Sequence, residues 1–167
     1  MKNKDLASQN VYVCKSASES ETRKCGSEIL RDRLLPRVNS VTAVVVALTG
    51  DLGAGKTQFT KGIAEGLGIA QQDLHSPTFS LANEYDVTIP ELGRLRFNHL
   101  DAYRFEDPDE LLELGIEDYL YAQNTITILE WAERVEKYLP QDVIRITIET
   151  VSESERLITV HTKEDGV

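Results

Sequence analysis

VTAVVVALTGDLGAGKTQFTKGIAEGLG, residues Val41 to Gly68, runs from a short apolar stretch through a glycine-rich loop directly into a helical pattern. Val41 to Leu48 is β-branched and nearly continuous, as in a strand buried on both faces, and Phe59, Ile63 and Leu67 then recur at helical spacing. Between them Gly50, Gly55, Lys56 and Thr57 fill the pattern GxxxxGK followed by Ser or Thr, with Gly53 inside it. Each residue type answers a chemical need. Glycines let backbone N–H groups close around a phosphate chain, a lysine reaches the β- and γ-phosphates, and a threonine hydroxyl ligates Mg²⁺. The unpaired N–H groups of the helix's first turn point at the same phosphates. The order strand, loop, helix is what separates such a P-loop from a glycine turn in which Lys56 is merely solvated.

The rest of the composition sets the frame. With 167 residues and 41% hydrophobic content the chain suits one domain spanning residues 1–167, with a core of its own. Residues 1 to 10 read as a frayed leader and residues 162–167 as a polar tail. Cys14 and Cys25 form no CxxC pair and have no metal-like companions, so a reduced thiol pair is expected. No apolar signal core and no membrane-length run is present, which points to a cytoplasmic protein with no membrane partner. Eighteen Lys and Arg against 28 Asp and Glu give a formal net charge of −10. That charge opposes direct adsorption to nucleic acid, so any RNA connection is expected to run through a partner.

Upstream of the loop, Val11 to Cys14 reads as a short edge strand, and Thr22 as the cap of a helix running toward Leu35 and stopped by Pro36. Downstream, Ser76-Pro77-Thr78-Phe79-Ser80-Leu81 follows the P-loop helix. Thr78 is either part of a switch-like loop that closes over the γ-phosphate or the entrance of a strand fixed by Pro77. Phe79 to Val87 and Arg94 to Leu100 predict a hairpin across Pro90 and Gly93. The second of these strands runs into Asp101, where P-loop proteins place the acid that holds Mg²⁺.

Asp107, Pro108 and Glu110 have the form of a helix start, and Gly115 of its end. Thr125 to Leu129 predicts another strand, and it too ends in an acid, Glu130, followed by the only tryptophan, Trp131. Two strand-terminal carboxylates beside a P-loop strand form a recurring active-site geometry, one acid for Mg²⁺ and one for orienting water. The competing reading has Glu130 capping a helix from Ala132 to Leu139, braced by Glu133 and Lys137. Ile144, Ile146 and Ile148 alternate with polar residues, and Leu157 to His161 can return antiparallel across Ser152 to Glu155.

GDLGAGKT, SPTFSLANEY, HLDAYRFEDPDELLELGIEDYL and ILEWAER, over roughly residues 40 to 140, stand in the order and spacing of one family. In these motifs the chain resembles the TsaE (YjeE) family of bacterial P-loop ATPases, which assist threonylcarbamoylation of an adenosine in tRNA next to the anticodon. The resemblance implies an α/β P-loop NTPase fold: a central, mainly parallel sheet flanked by helices, with antiparallel strands added at its edges. It implies that ATP is held by Asp51, Leu52, Gly53, Ala54, Gly55, Lys56, Thr57 and Gln58, with Thr78 and Trp131 beside it. Thr57, Asp101 and Glu130 would hold Mg²⁺, and Lys56, Asp101 and Glu130 would carry catalysis. The family's partners are the TsaB and TsaD proteins, with tRNA reached only through the complex, and ATP hydrolysis resets that complex. Two other classes fit less well. A small-molecule kinase needs a lid with arginines, which the sequence lacks. A GTPase needs a DxxG after Asp101, and Thr162-Lys163-Glu164-Asp165 resembles the guanine-reading TKxD only in an unsupported tail. No arginine stands in an obvious finger loop, Arg104 being the nearest candidate.

Overall fold

A computed structural model of the chain describes residues 10–39, 42–75, 77 and 80–162. The expected leader apart from Asn10, which begins the first strand, together with Ser76, Thr78, Phe79 and all of the polar tail but Thr162, falls outside these residues. Seven strands form one sheet in the order β1-β7-β6-β2-β5-β4-β3. Here β1 is Asn10–Ser16, β2 Val44–Thr49, β3 Ala82–Ile89, β4 Gly93–Asp101, β5 Thr125–Glu130, β6 Ile144–Thr150 and β7 Arg156–Thr162. The four central strands β6, β2, β5 and β4 run parallel, while β1 and β7 on one side and β3 on the other are antiparallel additions. This is the mixed architecture expected from the sequence.

Alternation along β2 divides the interior. Val44, Val46 and Leu48 join Phe59, Ile63, Phe97, Ile126 and Ile128 on one face, under the helices α1 (Glu19–Ile29) and α2 (Lys56–Gly66). Val45 and Ala47 join Leu100, Leu111, Ile116 and Leu129 on the other, under α3 (Pro108–Glu113) and α4 (Ile116–Leu120). A central strand buried on both faces needs apolar residues at every position, which is why Val44 to Leu48 shows no alternation; the strand begins at Val44, later than the apolar run suggests.

The helix that follows the P-loop lies directly on α1. A Cβ added to Gly62 would stand 1.9 Å from the Arg23 carbonyl oxygen, and one added to Gly26 would stand 2.3 Å from the Phe59 carbonyl oxygen. Backbone therefore meets backbone, and only glycine fits there. The cap of α1 is Ser18, whose side chain accepts from the Glu21 N–H. Thr22, expected as the cap, is instead buried in the first turn, with its hydroxyl 2.9 Å from that of Ser16. Ser18 wins because it alone has the extended backbone that a cap requires. The helix continues through a π turn, Leu30–Leu34, and a 3₁₀ turn, Leu35–Arg37, before ending.

Two further expectations are corrected. Cys14 and Cys25 are joined in a disulfide from β1 to α1, because the strand and the helix bring their Cα atoms to 6.5 Å. Residues Ala132–Tyr138 form 3₁₀ turns with a kink at Val135 in place of a regular helix. Lys137 there pairs with Asp109 at 2.7 Å and not with Glu133, since broken helical geometry removes the i,i+4 neighbour. Asp107 does cap α3, accepting from the Asp109 N–H, with Pro108 in the first turn. Among the described residues no helix is long and apolar enough to cross a membrane.

Candidate functional site

The carboxyl ends of β2, β4 and β5 meet at one edge of the sheet, and the loop between β2 and α2 wraps that edge. Gly50 has φ 149°, and a Cβ on it would stand 2.4 Å from the Ile148 carbonyl oxygen, so β6 and the loop touch through bare backbone. Gly55 caps α2 in the left-handed region at φ 107°, which aims the N–H groups of the first turn outward. A cleft of about 540 Å³ opens here, bordered by Lys56, Thr57, Asp101, Tyr103, Glu130 and Trp131. Its far wall is made by Ala17, Ser18, Glu19 and Thr22 at the β1–α1 junction and by Glu153, Ser154 and Arg156 around the β6–β7 turn.

Lys56 is only 5% exposed. Its ammonium donates to the Gly50 carbonyl and, at 2.9 Å, to the Asp51 carbonyl, and it lies 3.9 Å from the centre of the Trp131 ring. Burial pushes the ammonium below the usual lysine range, while Glu130, Glu133, Asp101 and Asp51 pull it back up. Trp131 itself has φ 59°, a left-handed conformation that costs a tryptophan roughly 1–3 kcal/mol and persists only where surrounding contacts fix it. Those contacts are Lys56, the Tyr103 ring at 4.9 Å and the Arg134 guanidinium at 5.8 Å. The turn at Trp131 is what swings its ring from the sheet into the cleft.

Asp101 and Glu130 end neighbouring parallel strands and are register partners. His99, Asp101 and Glu130 share the sheet face that carries α2, because alternation puts them in phase with Phe97 and Ile128. Glu130 is 2% exposed and caps no helix. Its Oε2 accepts from the Thr57 hydroxyl at 3.1 Å, while Oε1 lies 3.2 Å from the Thr60 hydroxyl and 2.7 Å from His99 Nε2. Asp101 Oδ1 accepts from the Tyr103 N–H at 2.8 Å. Burial pushes its carboxyl above the usual carboxylate range, and the neighbouring Glu130 adds to that rise.

A desolvated acid of this kind destabilises the fold when ionised. The stability it withholds is present at low pH and is lost as pH rises through its raised folded pKa. Asp101→Asn is therefore expected to melt no lower than the parent at neutral pH, while losing any function that needs the charge. Thermal melts from pH 4 to pH 8 check this, the parent gaining on the variant toward the acidic end.

The residues present fit a phosphate chain with a hard cation. Among the described residues no cluster of three or more His, Cys, Asp or Glu side chains converges for a metal ion. A cation here would have to take Thr57, the two carboxylates, water and the ligand's own phosphates, the donor set that Mg²⁺ favours. The structure thus gathers Lys56, Thr57, Asp101, Glu130 and Trp131, while Thr78 lies outside the described residues. Leu52, by contrast, is 76% exposed at the loop tip.

Sequence reasoning overlooked three groups. Arg156 donates from Nε to the Ala54 carbonyl at 3.0 Å and lines the cleft, whereas Arg104 does not border it. Arg134 stacks near Tyr103 and Trp131. Thr60 reaches Glu130 from the second turn of α2. Only the one-turn spacing of Thr57 and Thr60 left a trace in the sequence.

The family model "Threonylcarbamoyl adenosine biosynthesis protein TsaE" matches residues 16–158. The chain is 45% identical over 115 residues to the tRNA threonylcarbamoyladenosine biosynthesis protein TsaE of Bacillus subtilis, covering 69% of this chain and 67% of that one. It is 36% identical over 147 residues to the protein of the same name from Treponema pallidum, covering 88% and 98% respectively. The crystal structure of Bacillus subtilis YdiB superposes with a TM-score of 0.68 at 31% identity, covering 92% of this chain and 86% of that one. A family match running from the end of β1 into β7 takes in every wall of the cleft, and the chain belongs to the TsaE family of threonylcarbamoyl adenosine biosynthesis proteins.

Proposed function

We propose that this protein is an ATPase that binds ATP with Mg²⁺ in the cleft, hydrolyses it to ADP and phosphate, and thereby serves threonylcarbamoyladenosine formation on tRNA. The observation that carries the reading is the meeting of Lys56 and Thr57 with Asp101 and Glu130 at the carboxyl ends of three adjacent parallel strands. Such a switch point is where open α/β sheets place their ligands.

The roles follow from the chemistry of each group. The N–H groups of the loop and of the first turn of α2 cradle the phosphates. Lys56 leaves the carbonyls of Gly50 and Asp51 for the outer phosphates, guided by the face of Trp131. Thr57 and Glu130, already hydrogen-bonded to each other, supply oxygens to the cation, and Asp101 faces the same space from the next strand. Held by Thr57, Asp101 and Glu130, Mg²⁺ would offset the negative charge that develops on the phosphates. Arg156 ties the P-loop to the β6–β7 turn.

On the resemblance of its motifs, the protein acts with the TsaB and TsaD proteins, and it reaches tRNA only through them. Its net charge of −10 supports the second point, since affinity for a polyanion scales with the phosphates that basic side chains neutralise. Turnover by the isolated chain is expected to be slow and to rise in the complex. P-loop enzymes commonly wait for a partner's group or an ordered switch, which contributes roughly 10³ to 10⁵ in rate. Steady-state ATPase rates of the chain alone, with TsaB and TsaD, and with tRNA added, test this beside a tRNA gel shift of the isolated chain. Fast turnover alone, or a tight shift without partners, would point to an independent enzyme acting directly on RNA. Competition between ATP and GTP in the same assay tests the base preference.

A further inference from the structure

His99 takes no part in the chemistry above, yet it is almost fully enclosed, at 4% exposure, two residues before Asp101 on β4. Its Nε2 stands 2.7 Å from Glu130 Oε1, and both side chains are nearly inaccessible to water. A carboxylate this buried is costly unless its oxygens are hydrogen-bonded. The two oxygens are served differently. Oε2 accepts from Thr57, the hydroxyl that begins α2. Oε1 faces the Thr60 hydroxyl and His99. The Thr60 hydroxyl also lies 3.0 Å from the Lys56 carbonyl and has one proton to give, so it cannot serve both acceptors at once. His99 is therefore the donor that can hold Oε1 continuously, with its proton on Nε2.

We infer that His99 is a positioning residue for Glu130, keeping Oε1 turned into the sheet so that Oε2, beside Thr57, is the oxygen presented to a divalent cation in the cleft. This rests on the reading of the cleft as a site for a nucleotide and Mg²⁺. Outer-shell donors of this kind fix a ligand's orientation, and their loss typically weakens metal affinity about 10- to 100-fold. A histidine that only fills space between strand and helix would instead affect stability and leave the cation untouched.

Two near-isosteric variants separate these roles. The amide nitrogen of glutamine reaches about as far as Nε2, whereas that of asparagine reaches only as far as Nδ1. The quantity to measure is the factor by which Mg²⁺ tightens ADP binding to the full chain, by calorimetry with and without the ion. His99→Gln is expected to keep that factor within about threefold of the parent, and His99→Asn to lose about tenfold or more, with Mg²⁺-free affinity kept in both. In a Glu130→Gln background His99→Asn should cost nothing further, since the residue acts through that carboxylate. An Asn variant that keeps the parent's factor, or a Gln variant that loses as much as the Asn variant, overturns the assignment. So does a lowered melting temperature with the Mg²⁺ factor intact. A parent chain that binds no ADP at all would refute the reading of the cleft itself and this role with it, a result distinct from any difference among the variants.

Discussion

Lys56→Ala is expected to weaken binding of an ATP analogue by about two orders of magnitude, near 3 kcal/mol, the cost of truncating one member of a buried, hydrogen-bonded charge pair. Two effects combine. The variant loses the cation that would meet the phosphates, and it also removes the positive charge that offsets Glu130, Glu133, Asp101 and Asp51. A cleft with that residual charge repels a polyanion before any contact is made. Lys56→Arg should not restore binding, because the ammonium sits as a compact point charge on the Gly50 and Asp51 carbonyls and a planar fork places its donors differently. The fold should survive, since burial already works against this cation. Calorimetric titration with a nonhydrolysable ATP analogue and Mg²⁺ gives the answer, and an unchanged affinity would end the P-loop reading.

The largest loss of stability is expected from Gly62→Ala. The added Cβ would stand 1.9 Å from the Arg23 carbonyl oxygen and 2.6 Å from both its carbonyl carbon and its Cα, so only a backbone shift relieves the clash. Forcing α1 off α2 opens the packing beneath both, where Cys25, Ile29, Phe59 and Ile63 are buried. Overpacking of this kind costs about 3 kcal/mol, or a fall of roughly 10 °C in melting temperature for a domain of this size. Gly66→Ala is the control. Its Cβ would meet the Leu30 Cδ2 and the Ser27 hydroxyl, ends of side chains that can turn away. Gly66 is also the last residue of α2, so the substitution leaves the helix interior as it is. Thermal melts of the two variants should therefore differ sharply, and a Gly62→Ala protein that melts with the parent would mean that the two backbones are not in contact.

Much of the architecture could be read from residue order. Val41 to Leu48, the glycine loop and the spacing of Phe59, Ile63 and Leu67 specify a buried strand feeding a helix, and Pro90 and Gly93 mark the β3–β4 turn. Strand ends and acids at Asp101 and Glu130 were legible for the same reason, since period-two patterns stop where they stand. Long-range pairings were not. The Arg156 side chain meets the P-loop across 102 positions, and nothing local in Ser152 to Glu155 announces it. Ser18 and Thr22 are both good caps by type, and the choice between them depended on where β1 ended. The residues after Glu130 have the composition of a helix, but the left-handed turn at Trp131 and the pull of Asp109 on Lys137 break it into 3₁₀ turns. Two cysteines at a separation of 11 gave no sign of pairing until strand and helix brought them together.

That bridge makes the chemical environment of a preparation a variable in its own right. Closing residues 14 to 25 into a ring restricts the unfolded chain and, at this ring size, favours the native state by about 3 kcal/mol in the chain-entropy account. Protein made in thiol-rich cytosolic extract and protein handled in air would then be two species with the same mass to within two hydrogens and different melting temperatures. The ring also includes Ser18, Glu19 and Thr22, part of the far wall of the cleft. Nucleotide titrations on material of mixed oxidation state would therefore report an average over two populations, and a binding curve too shallow for one site would be the symptom. Free-thiol quantitation on each batch, before any affinity is compared between variants, removes that ambiguity.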